Sequence, residues 1–213
     1  VSPYIQATAP ERKNSDIRIN TALNATVDII DGLKVSGMVA WNYRNRNERV
    51  YTPTWCNAKW DTASHPGELS SSSYSTNSSN SLLVQGLLTY NKSWGLHSID
   101  AMIGASYESN NANTSLQSVS DFPNDKSWVF DKNKGSTVKS NEIDYTENAL
   151  LSYFGRVQYA LMDRYLFSTS LRRDGSSKFG SKNRWGFFPS VSAAWKLNEE
   201  SFMKDIEWLG SAK

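Results

Sequence analysis

Cysteine is almost missing from this sequence: Cys56 stands alone among 213 residues. That excludes an internal disulfide and any cysteine-rich metal site, and no cofactor is expected. Histidine is nearly as scarce, with only His65 and His97. His65 precedes Pro66 in a polar stretch, and His97 sits on an apolar strand face near a turn. Neither has a Ser/Asp or metal-ligand constellation at useful spacing, so no catalytic set and no metal site are expected. Long apolar runs are absent too. Nothing approaches the roughly 20 residues of a membrane helix. Charge of one sign never accumulates, because 23 basic and 21 acidic residues are spread along the chain for a net charge of +2. A nucleic-acid partner is therefore not expected. The opening stretch VSPYIQATAPERKN lacks the basic and apolar regions of a signal peptide. These absences fit a soluble protein, and equally a strip from within a larger precursor.

Aromatics, by contrast, are plentiful, at 12% of residues with 8 Trp and 10 Tyr. Their setting is a period of two. Ile17, Ile19, Leu23, Val27 and Ile29 alternate with mostly polar neighbours. Beyond Asp31-Gly32 the odd positions resume as Leu33, Val35, Val39, Trp41 and Tyr43. This pattern predicts two long strands, each with one apolar and one polar face. A two-residue turn would set the two apolar faces on opposite sides, whereas a three-residue turn, Ile30-Asp31-Gly32, pairs Ile29 with Leu33 and keeps them together. Gly32 then falls where a left-handed residue is wanted.

The same alternation predicts five further strands, carrying Leu82 to Tyr90, His97 to Tyr107, Ala149 to Leu161, Tyr165 to Leu171 and Trp185 to Leu197. A helical turn is expected only from Glu199 to Asp205, with Asn198 as its cap. Short turns near residues 31, 93, 163 and 200 alternate with longer polar links at about 44–81, 109–147 and 174–184. Such alternation is the layout of an outer-membrane barrel, with short periplasmic turns and long external loops. Aromatics gather at the strand ends accordingly. Trp41, Tyr43, Tyr107, Trp185 and Phe187 lie at the loop ends, and Tyr90, Tyr159, Tyr165 and Trp195 at the turn ends, as two interfacial girdles would require. A water-soluble sandwich that binds glycan or protein at a cell surface would show the same alternation, but would bury Ile19, Leu23, Val27, Val35 and Val39 under a second sheet. The expectation is an all-β, antiparallel up-and-down meander. It would be a partial transmembrane barrel wall of about seven strands with long external loops.

Residues 150 to 204 carry five blocks in fixed order: SYFGR at 152–156, DRYLF at 163–167, RRDGSSKFG at 172–180, NRWGFFPS at 183–190 and a trailing NEESFMK. Together they resemble the SusC/RagA family of TonB-linked outer-membrane proteins. Within them, Arg172, Arg173, Asp174, Gly175, Ser176, Ser177, Arg184, Trp185, Gly186 and Pro189 form the family motif. RRDGSSKFG reads as a strand end and an external turn that closes a hairpin at the barrel rim. Asp174 and Ser176 would bond the local backbone, Gly175 would supply a positive φ angle, and Arg172 would face the polar side.

The resemblance implies uptake of oligosaccharides or peptides, with energy from TonB. It also implies a barrel of about 22 strands, of which residues 1 to 213 would be one segment with the plug domain absent. The implied partners are outer-membrane lipid, the rest of the barrel and its plug, the TonB system and a surface lipoprotein of the SusD type. Weak candidates for cargo contact are Trp55, Trp60, Trp128 and Phe130. Trp55 and Trp60 flank polar residues in a way that suits stacking on a sugar ring, although such aromatics also pack loops together.

Overall fold

The computed structural model describes residue 4 and residues 10–56, 70–123, 125, 132–200 and 203. Seven strands account for most of them. They are β1 (Glu11–Ile30), β2 (Leu33–Thr52), β3 (Ser71–Trp94), β4 (His97–Ser120), β5 (Thr137–Leu161), β6 (Tyr165–Ser176) and β7 (Trp185–Trp195). They form one sheet in the order β1-β2-β3-β4-β5-β6-β7, so each strand pairs with its neighbours in sequence and β1 and β7 are the edges. The β5–β6 and β6–β7 pairings are antiparallel. Leu161 opposes Tyr165 across β5–β6, and Tyr165 opposes Trp195 across β6–β7.

No second sheet covers the apolar stripe among the described residues. Leu23 is 73% exposed, Val27 58% and Val35 43%. The soluble sandwich is thereby ruled out, since its defining feature is burial of those side chains. Among the described residues, the buried hydrophobic ones are Tyr51, Cys56, Val119 and Phe122. A water-soluble domain of this length would hide far more apolar surface than that.

The strands are longer than alternation predicts. β3 and β4 span 24 residues each and β5 spans 25, against the roughly 9–11 that a tilted spanning strand needs. The expected links at 44–81 and 109–147 shrink to residues 53–70 and 121–136. Ser, Asn and Thr signal loops by composition, but cross-strand partners override that preference here. Ser72 Oγ donates to Val50 O at 3.2 Å, Thr76 Oγ1 to Asn47 Oδ1 at 2.9 Å, and Asn77 Nδ2 to Thr114 Oγ1 at 3.2 Å.

Two compact units divide the chain, and the long strands contribute to both. One comprises residues 21–41, 82–109 and 148–213, which include the turn ends of the strands and nearly all the girdle aromatics. Its turns are built as parity requires. Gly32 has φ +81°. Thr21 Oγ1 bonds Trp41 O at 3.2 Å and Lys34 pairs with Asp28 at 3.1 Å, same-parity contacts that the three-residue turn produces. Met162 and Asp163 both take positive φ, 55° and 54°, closing β5 to β6 with Arg164 N bonded to Leu161 O at 3.0 Å. Adjacent turns are tied by backbone bonds: Asn91 N to Gly32 O at 2.8 Å, and Lys196 N to Arg164 O at 2.8 Å.

The other unit comprises residues 1–20, 42–81 and 110–147. It holds the small core, where Tyr51 and Phe122 meet edge to face with ring centroids 5.6 Å apart, beside Val119 and Tyr74. Asp125 binds this core to the 3-10 turn Thr54–Cys56. It accepts from Tyr51 Oη at 2.6 Å and from Thr54 N and Oγ1 at 3.2 and 3.3 Å. Burial, and then this carboxylate, push the Tyr51 phenol up to about 12. Burial also raises the Cys56 thiol, which weakens it as a nucleophile.

Candidate functional site

The residues expected to form the family motif fall at the loop ends of β6 and β7 beside β5, where Tyr153, Arg173 and Phe187 lie on one rung. Alternation splits its two arginines between faces. Arg172 lies on the polar face. Its Nε donates to both Asp174 oxygens at 2.8 and 2.9 Å, and its Nη2 to Ser152 Oγ at 3.2 Å. The guanidinium also rests 5.7 Å from the Phe154 ring centroid. Arg173, one residue on, joins the apolar face, with its Cζ 4.6 Å from the Trp185 ring centroid.

Gly175 does not have the positive φ expected of it, and it lies inside β6 opposite Leu151 and Trp185. Its role is clearance. A Cβ there would fall 2.8 Å from the Trp185 ring, so the bare glycine lets that indole lie across β6. The indole thereby reaches Tyr153 of β5 and stacks on it, with centroids 6.2 Å apart and planes 22° apart. Gly186 works likewise, because a Cβ there would meet the Phe188 ring at 2.8 Å. Neither side-chain packing role has a signature in local propensity, which is why a turn reading of Asp-Gly-Ser-Ser missed it.

Asp174, also expected to bond the backbone, is instead taken by Arg172. Ser176 Oγ accepts from Lys178 N at 3.3 Å, and Ser177 Oγ accepts from Ala149 N at 2.8 Å, fastening the turn to β5. Arg184 ends the 3-10 turn Ser181–Asn183, and its carbonyl accepts from Ser176 N at 3.0 Å. Pro189 opposes Leu171 in β7, an edge strand of the described sheet, where a missing N–H is tolerated.

At the turn end, sequence reasoning overlooked a four-residue cluster around Glu200. This carboxylate, 9% exposed, accepts from Tyr165 Oη at 2.8 Å and Trp195 Nε1 at 3.1 Å, and pairs with Arg164 at 3.1 Å. The Tyr165 and Trp195 rings stack at 6.0 Å. Hydrogen bonds from Tyr165 and Trp195, then the Arg164 charge, hold the carboxyl below the usual glutamate range. The expected helical turn from Glu199 to Asp205 lies largely outside the described residues; within them Met203 N bonds Glu200 O at 3.0 Å, and a 3-10 turn over Leu197–Glu199 precedes it. Lys196, not Asn198, is at the N-cap of that 3-10 turn. Glu200 follows that turn and is committed to the girdle. His97 belongs to the same end: its Nδ1 lies 2.6 Å from the Tyr159 hydroxyl and its ring stacks on Trp94 at 5.6 Å. Of the cargo candidates, Trp60, Trp128 and Phe130 lie outside the described residues, as does His65. Trp55 belongs to the Thr54–Cys56 turn.

A single antiparallel meander, an uncovered apolar face and aromatic clusters at both strand ends define the wall of a β-barrel. The particular kind follows from comparison. Residues 3–204 match the model of the TonB dependent receptor-like, beta-barrel family, and the chain belongs to that family. TonB-dependent receptor P3 of Formosa agariphila is 32% identical over 212 residues, 96% of this chain and 20% of that protein. TonB-dependent receptor SusC of Bacteroides thetaiotaomicron is 37% identical over 142 residues, 66% of this chain and 13% of that protein. The chain thus spans a fifth or less of the curated relatives' length. Among solved structures, the RagAB peptide importer in its open-open state superposes with a TM-score of 0.83. It is 22% identical, over 98% of this chain and 22% of that one. This likeness establishes the fold.

Proposed function

We propose that the chain is a strip of wall from an outer-membrane, TonB-dependent transporter of the SusC/RagA kind, which imports oligosaccharide or peptide. The observation that carries this reading is the bare apolar stripe on an unbroken meander, because only lipid or detergent suits such a face. The SusC likeness supports membership of a nutrient-uptake system. Transport makes no bonds, and this chain's residues act as wall: girdle aromatics anchor the strands at the two interfaces, and the polar face borders the lumen. In this reading residues 1–213 belong to the barrel domain. The plug, the TonB system and a SusD-type lipoprotein are its working partners, with no cofactor. Trp55, Trp60, Trp128 and Phe130 are the proposed cargo contacts, since aromatics beside polar groups suit a sugar ring or an apolar peptide side chain.

The test is uptake by cells making the full-length protein, with labelled oligopeptide and labelled oligosaccharide as separate probes. We expect the protein in the outer-membrane fraction, shifting in electrophoresis on boiling, and uptake of one probe that a protonophore abolishes. A soluble, heat-unmodifiable protein, or uptake that deletion leaves unchanged for both probes, would refute it.

A further inference from the structure

The apolar face is not uniform. A depression of about 780 Å³ opens on it, lined by Gly86, Ala105, Gly155, Leu171, Arg173 and Phe187 among others. Its floor is shallow because side chains are missing. A Cβ on Gly86 would meet nothing within 4 Å, and one on Gly155 would make only ordinary contacts at 3.4 and 3.5 Å. Arg173 is the charged member of this lining, and Tyr153 and Phe187 flank it in register. Its guanidinium is held over the Trp185 ring at 4.6 Å. The turn just beyond adds the exposed cations Lys178, Lys182 and Arg184. Among the described residues none of these four cations forms an ion pair, while the nearby acid, Asp174, is already satisfied by Arg172.

A cation on a face that meets hydrocarbon is costly unless a partner of opposite charge comes with the lipid. An apolar slot with Arg173 in its lining, followed in the chain by three more exposed cations in the turn after β6, matches an amphiphile with an acyl chain and a phosphate. We propose that a phosphate-bearing lipid of the outer leaflet binds here as a specific ligand. One acyl chain lies in the depression over Gly86 and Gly155, and a phosphate sits on the Arg173 guanidinium. Arginine suits this because its planar fork can grip a phosphate through two N–H groups while stacked on an indole. Lys178 and Lys182 extend the positive field toward the headgroup. The inference rests on the transporter reading, which puts this face in lipid.

The test uses the full-length protein in mild detergent and native mass spectrometry. The probes are bisphosphorylated lipid A, the same lipid stripped of its phosphates, and inorganic phosphate as competitor. We expect the wild type to hold lipid A, the dephosphorylated form to bind poorly, and millimolar phosphate not to displace it. Arg173→Ala should weaken binding by roughly tenfold or more, with partial rescue in Arg173→Lys. Gly86→Leu should also weaken it by filling the slot with the cations intact. Wild-type affinity in folded, heat-modifiable Arg173→Ala and Gly86→Leu proteins would overturn this inference alone, as would displacement by phosphate. A wild-type protein that forms no heat-modifiable barrel would overturn the transporter reading and this inference with it.

Discussion

Replacing Gly175 by alanine tests the clearance role assigned to it. The new methyl would lie 2.8 Å from the Trp185 ring, well inside contact distance. The indole must lift, and in lifting it leaves Tyr153 and Arg173. Overpacking of this kind costs about 1–3 kcal/mol. Loss of the Tyr153–Trp185 stack adds about 0.5–1.5 kcal/mol, and loss of the exposed cation–π contact about 0.5–1 kcal/mol. Against these, removing a glycine from a strand recovers about 0.5–1 kcal/mol of backbone entropy. The midpoints give a net destabilisation of about 3 kcal/mol. Gly86→Ala is the control, because its methyl meets nothing within 4 Å and the entropy term alone should stabilise slightly. The assay is guanidinium unfolding of the full-length barrel in lipid vesicles, followed by tryptophan fluorescence. A double-mutant cycle sharpens it. In a Trp185→Ala background, Gly175→Ala should become neutral or stabilising. If it still costs as much there, or if Gly86→Ala costs as much as Gly175→Ala, the clearance argument is wrong.

Gly32→Ala should be among the most damaging single changes at the turn end, costing more than about 2 kcal/mol by adding a clash to a strained φ. Its φ is +81° and its Cβ would collide with the Asn91 carbonyl oxygen, whereas Gly95, at φ +55°, has open space around it. Gly95→Ala should therefore cost only about 1 kcal/mol, and the heat-modifiable fraction after refolding separates the two. Glu200 gives a pH signature. Its folded carboxyl titrates below the ordinary glutamate value, so its contribution is complete above that value and is lost as pH falls through the lowered one. Unfolding measured from pH 6 to pH 3 should show the wild type losing stability on acidification more steeply than Glu200→Gln. Parallel curves would refute the assignment.

Alternation made the fold legible because a barrel wall is governed by it. With one face to lipid and one to water, every side chain's parity is specified, and Val27 and Val35 declare their face as surely as any core residue. The turn at Gly32 followed from parity alone. The strand limits did not follow. SSSYSTNSSN at 71–80 has the composition of a loop and is strand only because β2 and β4 supply its partners. The rim motif was legible as a motif but not as a mechanism. Nothing local distinguishes a glycine that turns the chain from one that makes room for a tryptophan ten residues later. The Glu200 cluster was hidden for a related reason, since its donors come from Arg164, Tyr165 and Trp195 and meet only once β6 and β7 pair.

The location of the ordering contacts also bears on what holds the sheet. The four buried hydrophobic side chains among the described residues cannot offset the entropy of ordering seven long strands, which costs roughly 1–2 kcal/mol per residue for the backbone alone. The balance has to come from ladder hydrogen bonds kept out of water and from the lipid that covers the stripe. Such a wall is uniform along its middle, so a two-residue slip, which keeps every side chain on its own face, meets little resistance there. The interactions that fix it are at the two ends: the Tyr153–Arg173–Trp185 stack over Gly175 at one, and the Glu200 cluster with its backbone-linked turns at the other. Both bridge different strands, so each penalises a slip of β6 against its neighbours that the Val, Ala and Ser rungs between them would tolerate.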